Sequence, residues 1–69
     1  MKVQYFTDTD TIYVHLNDKP ISNTRDLDEN TLIDVDAEGN LVAITIEHAR
    51  ERADIANFVF QQVATPTPA

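Results

Sequence analysis

Gly39, the only glycine of the chain, stands between two runs in which apolar and polar residues alternate. A glycine in a short turn adopts the positive φ that residues with a Cβ resist, so the chain can reverse its direction there. The pattern predicts a β-hairpin over residues 31–46. The residues predicted to face its core are Ile33, Val35, Val42, Ile44 and Ile46, and those on the opposite face are Asp34, Asp36, Ala43 and Thr45.

Three segments before this hairpin have strand character. Residues 2–6 form the first strand candidate, and the polar residues 7–10 supply a turn before the alternating segment 11–16. The strand is broken before Pro20, because proline cannot donate to a strand ladder. Polar residues dilute the pattern in residues 21–27, which are therefore predicted to form an edge strand or an extended loop.

From Glu47 onward, the repeat of the apolar residues changes from every two residues to about every 3.6 residues. This change predicts a helix that begins near residue 47 and packs on one face of the sheet. Its apolar stripe consists of Ala49, Ala53, Ala56, Phe60 and Val63. The alternative is that the helix ends near Ala56 and that residues 57–60 continue as a short extended segment, for which phenylalanine and valine are well suited.

The second half of this segment has more apolar surface than one helix face accommodates. On a helix, Phe58 points almost directly away from the stripe, and Ile55 lies near Phe58. One small sheet is unsuited to covering all of these side chains, so we expect Ile55, Phe58 and Val59 to form an interface. Residues 64–69 contain two prolines and no large apolar residue. They are predicted to be a disordered tail after a single domain of residues 1–63.

Together these elements predict an α+β fold, an antiparallel β-meander of four to five strands with one C-terminal helix packed on one face. A chain of 69 residues buries only about 60% of the surface that its unfolded form exposes, so its core is thin. The absence of cysteine excludes a disulfide framework and thiolate metal sites. Self-association as a homodimer is therefore the expected source of additional stability.

The charge balance restricts the classes of partner. Twelve acidic and five basic residues give a net charge of -7. Because the basic residues are not clustered, direct binding to nucleic acid is disfavoured, and a basic protein partner is favoured instead. The sequence has neither a signal-peptide core nor an apolar run of membrane length, which predicts a cytoplasmic protein without membrane contact. A single glycine excludes nucleotide-binding loops, and no cofactor is predicted.

Four polar residues are the candidates for chemistry. Tyr13 and His15 share one face of their strand, and Asp34 and Asp36 are predicted to lie on the same face of the sheet. Imidazole and carboxylate groups ligate metal ions and transfer protons. The competing interpretation is that His15 packs across the strands and that both carboxylates face solvent. The carboxylates also follow the spacing of a calcium loop, but Thr45 stands where such a loop requires a bidentate glutamate.

Several short motifs follow one another at specific spacings. They are Tyr5, Asp10-Thr-Ile-Tyr13-Val14-x-Leu16, Ile33-Asp34-x-Asp36-x-x-Gly39-x-Leu41-Val42-x-Ile44 and Glu47-His48-Ala49. Together they closely resemble a small bacterial family, domain of unknown function 2283, over residues 2 to about 55. The chain departs from the family at Ala43, where the family often has glycine, and at Thr45, where the family often has glutamate. The resemblance implies a short antiparallel sheet with a C-terminal helix, no established activity, and suspected antitoxin-like roles in two-gene modules.

Three functions are compatible with these features. The sequence contains no catalytic signature. The leading hypothesis is a non-enzymatic protein-interaction module that self-associates through Ile55, Phe58 and Val59, with an antitoxin-like role suggested by the resemblance. An alternative is a small metal-binding protein or hydrolase that uses the histidine and the two aspartates named above. A third is an acidic protein that imitates the charge of nucleic acid, whose binding to its partner would weaken as salt rises.

Overall fold

The structure, a computed structural model, describes residues 1–66 and consists of one antiparallel sheet followed by two short helical turns. Segments that alternate apolar and polar residues form the strands, because this spacing places one kind of side chain on each face. The strands are β1 (Lys2–Phe6), β2 (Thr11–His15), β3 (Asn23–Asp28), β4 (Thr31–Val35) and β5 (Leu41–Ile46). Helix α1 (Ala49–Arg52) and the 3-10 turn Ile55–Asn57 come after them.

The strands lie in the order β1-β2-β5-β4-β3, and each neighbouring pair is antiparallel. A hairpin, β1-β2, and a meander, β3-β4-β5, are joined where β2 pairs with β5. This arrangement confirms the predicted α+β class, with an antiparallel sheet and a helix at the C-terminal end. The segment predicted as an edge strand or extended loop is an edge strand, β3.

The predicted hairpin turn forms between Asp36 and Asn40. The backbone N–H of Asp36 donates to the carbonyl oxygen of Asn40 at 2.9 Å, and Gly39 has a φ of 86°. Only a residue without a Cβ adopts this conformation readily, which explains the glycine. Beside the turn the register shifts by one residue, so that Val35 pairs with Leu41. A β-bulge of this kind bends the strand and redirects its side chains.

The strand register gives the sheet one apolar face and one face of mixed character. Tyr5 lies opposite Ile12, and Ile12 in turn lies opposite Ile46, so apolar side chains adjoin across three strands. We call this side the apolar face, formed by Val3, Ile12, Val14, Ile33, Ile44 and Ile46. Helix α1 lies at one end of the apolar face and covers only that end.

The core of the described residues is small, as expected for a short chain. Its buried apolar residues are Val35, Val42, Ala43 and Ala49. Ile33, Ile44 and Ile46, which were predicted to face the core, are only half-buried. The sheet therefore has an apolar face whose cover is incomplete.

The helix forms near the predicted start, but the apolar stripe from Ala49 to Val63 does not form one continuous helix. Helix α1 ends at Arg52, because the next residue, Ala53, is extended with a φ of -147° and a ψ of 155°, and the backbone at Phe58 is extended as well. The predicted alanine stripe buries too little apolar surface to hold a long helix against the sheet, and short helices without such packing are marginal. Asn57 still belongs to the 3-10 turn, and the extended backbone at Phe58 agrees with the alternative of a short extended segment.

The dimensions of the molecule agree with a single layer. Its principal extents are 48 × 34 × 20 Å and its radius of gyration is 14.5 Å, whereas a compact domain of this length has a radius of gyration of about 11 Å. Of the predicted tail, residues 64–66 are exposed and have no regular secondary structure. Residues 67–69 lie outside the described residues, so the prediction of a disordered tail is not decided there.

Candidate functional site

Exposed apolar side chains concentrate after helix α1. Of the three residues predicted to form an interface, Ile55 is half-buried, while Phe58 and Val59 are 64% and 77% exposed. Phe60 and Val63 are similarly exposed, at 72% and 68%. Phe58 and the residues that follow lie beyond the 3-10 turn and outside regular secondary structure. We call residues 58–63 the apolar segment.

Two clefts connect the C-terminal residues with the β1 side of the apolar face. The first encloses about 290 Å³ and is lined by Val3, Tyr5, Ile12, Ala53, Asp54, Ile55 and Phe58. The second also encloses about 290 Å³ and is lined by Met1, Val3, Phe58 and Phe60. Val3 and Phe58 line both clefts, so the apolar segment and the apolar face form one continuous surface along β1.

A polar cluster attaches helix α1 to the β1–β2 hairpin. The hydroxyl of Tyr5 donates to Oδ1 of Asp10 at 2.7 Å, and Nε of Arg50 donates to the Tyr5 hydroxyl at 3.1 Å. The backbone N–H of Arg50 also donates to Oδ1 of Asp10 at 3.1 Å, while that of Ala49 donates to the Asp10 carbonyl at 3.0 Å. Asp10 adopts a left-handed backbone with a φ of 54°, which aspartate tolerates better than most residues. The cluster thus fixes the start of α1.

These contacts change the acidity of the two residues. The hydrogen bond from Tyr5 is the main cause that holds the pKa of Asp10 below its ordinary value, since it favours the charged carboxylate. The same bond raises the pKa of the Tyr5 hydroxyl, because the proton is held between the two oxygens. The folded protein therefore favours an ionised Asp10 beside a neutral Tyr5.

A second cluster holds α1 to the turn between β3 and β4. Nη1 of Arg52 donates to the hydroxyl of Thr31 at 2.6 Å, and its Nη2 lies 3.2 Å from Oδ2 of Asp28. Nδ1 of His48 lies 2.9 Å from Oδ1 of Asn30. The pKa of Asp28 is lowered, chiefly by the backbone N–H of Asn30. Helix α1 is therefore attached to the sheet by polar contacts on both of its sides.

Sequence reasoning did not identify either cluster. Tyr5 and Arg50 are 45 positions apart, and Asp10 and Arg50 are 40 apart, so no local pattern connects them. The available signal was the family-like motif, which includes Tyr5, Asp10 and the run Glu47-His48-Ala49. In the structure, these residues lie where helix α1 is attached to the sheet.

We expect Asp10 to make stability depend on pH in acid. A carboxyl whose pKa is lowered by folding adds stability above its unfolded pKa, near 3.8, and this contribution is lost as the pH falls through the folded value. Asp10→Asn should lower the Tm by several degrees at neutral pH. The difference in Tm between this variant and the wild type should become smaller below about pH 4. Thermal melts followed by circular dichroism at a series of pH values measure both effects.

The matched control for this prediction is Asp8→Asn. Asp8 lies in the same turn, is exposed, and accepts a hydrogen bond from the backbone N–H of Thr9. This variant changes the net charge equally but leaves the contacts of Tyr5 and Arg50 with Asp10 in place. If the Tm difference caused by Asp10→Asn stayed constant down to about pH 2, the assigned role of Asp10 would be wrong.

The four polar residues predicted as candidates for chemistry are only partly brought together. The rings of Tyr13 and His15 are adjacent, with centroids 6.1 Å apart. His15 and Asp34 both lie opposite Ala43, on either side of it, which separates their backbones by about 10 Å. Asp34 accepts a hydrogen bond from the hydroxyl of Thr24 at 2.6 Å.

Asp36 lies beyond the end of β4 and serves the hairpin turn. Its Oδ1 accepts the backbone N–H groups of Glu38 at 2.9 Å and Asn40 at 2.8 Å, and its Oδ2 accepts from Nδ2 of Asn40 at 3.0 Å. These bonds, that of the Asn40 side chain first, lower the pKa of Asp36. Asp36 is only 9% exposed, in contrast to the expectation of a solvent-facing carboxylate. Within residues 1–66, no three histidine, aspartate or glutamate side chains are grouped to hold a metal ion.

The match with a known family covers most of the chain. The pattern of the family described as "Protein of unknown function (DUF2283)" matches residues 2–50. The chain belongs to the DUF2283 family. This confirms the resemblance noted in the sequence, and neither a curated protein nor a solved structure matches the chain.

The DUF2283 match contains the whole sheet and ends within α1. Of the residues in the two polar clusters, Tyr5, Asp10 and His48 lie inside the matched range, whereas Arg52 lies outside it. Ile55 and the apolar segment lie outside it. In the part of the chain that the structure describes, no helix has the length and apolar character needed to cross a membrane.

Proposed function

We propose that this DUF2283 protein is a non-enzymatic, cytoplasmic interaction module that works as a homodimer. The observation that carries the proposal is the exposure of Phe58, Val59, Phe60 and Val63, each about two-thirds exposed or more. Monomeric soluble proteins rarely expose contiguous apolar patches larger than a few hundred Å², because contact between apolar surface and water is unfavourable. A second subunit would remove this surface from water.

The half-buried sheet supports the same proposal. Ile12, Ile44 and Ile46 of the apolar face keep partial contact with solvent, although isoleucine is among the residues most often fully buried. The two clefts join this face to the apolar segment, so one interface would cover both. Burial across a subunit boundary would supply the core that a single layer lacks.

The non-enzymatic part of the proposal is supported by how the polar groups are used. Asp10 and Arg50 hold helix α1, and Asp36 holds the hairpin turn. Their hydrogen-bonding capacity is directed at the backbone and at neighbouring side chains, which is the pattern of structural groups. Both described clefts beside the C-terminal residues are lined mainly by apolar side chains.

Light scattering coupled to gel filtration tests the proposal. We expect the mass of two chains for the wild type at micromolar concentration, and the mass of one chain for Phe58→Ser/Val59→Ser. Burial of a large apolar side chain contributes about 1.5–3 kcal/mol, and the double variant removes four such side chains from a dimer, so it should weaken association by about 100-fold or more. The substitutions lie outside the sheet and outside α1, so the variant should keep its fold.

The matched control is Ile21→Ser/Leu27→Ser. Ile21 and Leu27 are 50% and 67% exposed and lie before and within β3, at the far edge of the sheet. This variant removes a similar amount of exposed apolar surface and should remain a dimer. A wild type with the mass of one chain, or equal dissociation of both variants, would overturn the proposal.

A further inference from the structure

The two edges of the sheet differ in how they are protected. β3, at one edge, carries Arg25, Asp26 and Asp28, and all of its residues are exposed. Charged side chains on an edge strand prevent another strand from pairing with it. β1, at the other edge, has the sequence Lys-Val-Gln-Tyr-Phe, with one charge at its first position. The β1 edge therefore lacks the protection of the β3 edge.

The distribution of acidic residues favours the same edge. Strands β1, β2 and β5 contain no aspartate or glutamate, whereas β3 and β4 and the turns carry them. Two copies of a chain with a net charge of -7 repel each other unless they meet where acidic groups are absent. The apolar segment is also uncharged, and it lies on the β1 side of the sheet.

We infer that two copies pair through β1, antiparallel and about a two-fold axis at Gln4, so that one sheet continues across both subunits. This inference rests on the proposed homodimer and specifies its interface. Pairing centred on Gln4, the middle residue of β1, uses the whole strand and makes the contact identical on both subunits. It places Lys2 opposite Phe6 of the second copy, so no like charges face each other.

This pairing also accounts for the exposed rings. Met1, Val3, Phe58 and Phe60 line the second cleft, at the margin of the sheet formed by β1. In the paired arrangement, this margin lies in the middle of the dimer instead of at its edge. The apolar faces of the two subunits then adjoin, and the aromatic rings gain cover from the β1 strand of the second copy.

Cysteine cross-linking tests the inference cleanly, because the chain contains no cysteine. In the antiparallel pair, facing residues have Cα atoms about 4.5–5.5 Å apart, which suits a disulfide. Gln4→Cys should therefore form a covalent dimer under mild oxidation. Thr24→Cys is the control at the β3 edge. Val3→Cys is the register control, since Val3 would face Tyr5 of the second copy and lie about 8 Å from its own equivalent.

We expect Gln4→Cys to cross-link about tenfold faster or more than either control, because pairing raises the effective concentration of the facing thiol. Faster cross-linking of Thr24→Cys or of Val3→Cys would overturn the inference. Equal rates for all three variants, with the wild type still a dimer by mass, would overturn β1 pairing and leave the homodimer in place. A wild type with the mass of one chain would overturn both the β1 pairing and the homodimer.

Discussion

Val42→Ala is expected to destabilise the protein by about 2 kcal/mol, from the lost methyl groups together with the cavity that they leave. Val42 is fully buried, at 0% exposed, and it is the largest side chain buried to this degree among the described residues. It lies on β5, which is paired with β2 on one side and β4 on the other. A domain of this length has a total stability of only about 3–10 kcal/mol, so the expected loss is a large share.

Chemical denaturation with urea, followed by circular dichroism, measures this change. Leu41→Ala is the neighbouring control, because Leu41 precedes Val42 on the same strand and is 38% exposed. Its expected cost is below about 1 kcal/mol, as for other partly exposed positions. Similar losses for both variants would show that the core does not centre on Val42.

Asp36→Ala is expected to lower the Tm on the order of 10 °C and to loosen the hairpin turn, because two backbone N–H groups lose their acceptor. The Asp36 carboxylate accepts from the backbone N–H groups of Glu38 and Asn40 and from the Asn40 side chain. Lys19 lies 4.0 Å from the carboxylate and is half-exposed, so this ion pair is a minor contributor. Thermal melts and amide hydrogen exchange at residues 37–40 measure the effect.

Glu38→Ala is the charge-matched control for this variant. Glu38 lies in the same turn and is exposed, and its contribution to the turn is a backbone N–H that alanine retains. We expect its Tm to stay close to that of the wild type. A comparable fall in both variants would show that net charge, and not the acceptors of Asp36, determines the effect.

The strands of the sheet were predictable because neighbouring residues in the sequence determine where each strand begins, ends and places its side chains. Alternation in residues 11–16 and around Gly39 fixes which side chains share a face, and the turn residues fix where the strands end. The pairing of β2 with β5 was not predictable in this way, since it joins segments about 30 residues apart. Local patterns specify strands, whereas the choice of neighbour depends on the assembled face.

The apolar stripe after Glu47 does not form one continuous helix, for a physical reason. The spacing of Ala49, Ala53 and Ala56 is helical, but alanine side chains bury little surface, and Ala53 and Ala56 are exposed in the structure. Asp54 and Asn57 instead form a local hydrogen bond at 2.8 Å, and such residues compete with helical backbone bonds. Spacing alone did not reveal that the stripe lacked a surface to pack on.

The candidate sites show the same division between local and distant information. The surplus of apolar residues near Phe58 was visible in the sequence, and the structure leaves Phe58 exposed. The direction of the Asp36 side chain was not visible, because a β-bulge and the end of β4 take it out of the strand. The partners of Asp10 lie on distant segments, so only the folded chain brings them together.

Helix α1 has four residues, and its attachment depends on two arginines and a histidine more than on buried apolar area. The contacts of the two arginines with Asp10 and Asp28 are weakened by dissolved salt and by protonation of these carboxylates in acid, whereas the strand ladders do not depend on ionised groups. We therefore expect the helix and the residues after it to open at a lower free energy than the sheet. Unfolding in acid is accordingly expected to begin at the C-terminal end.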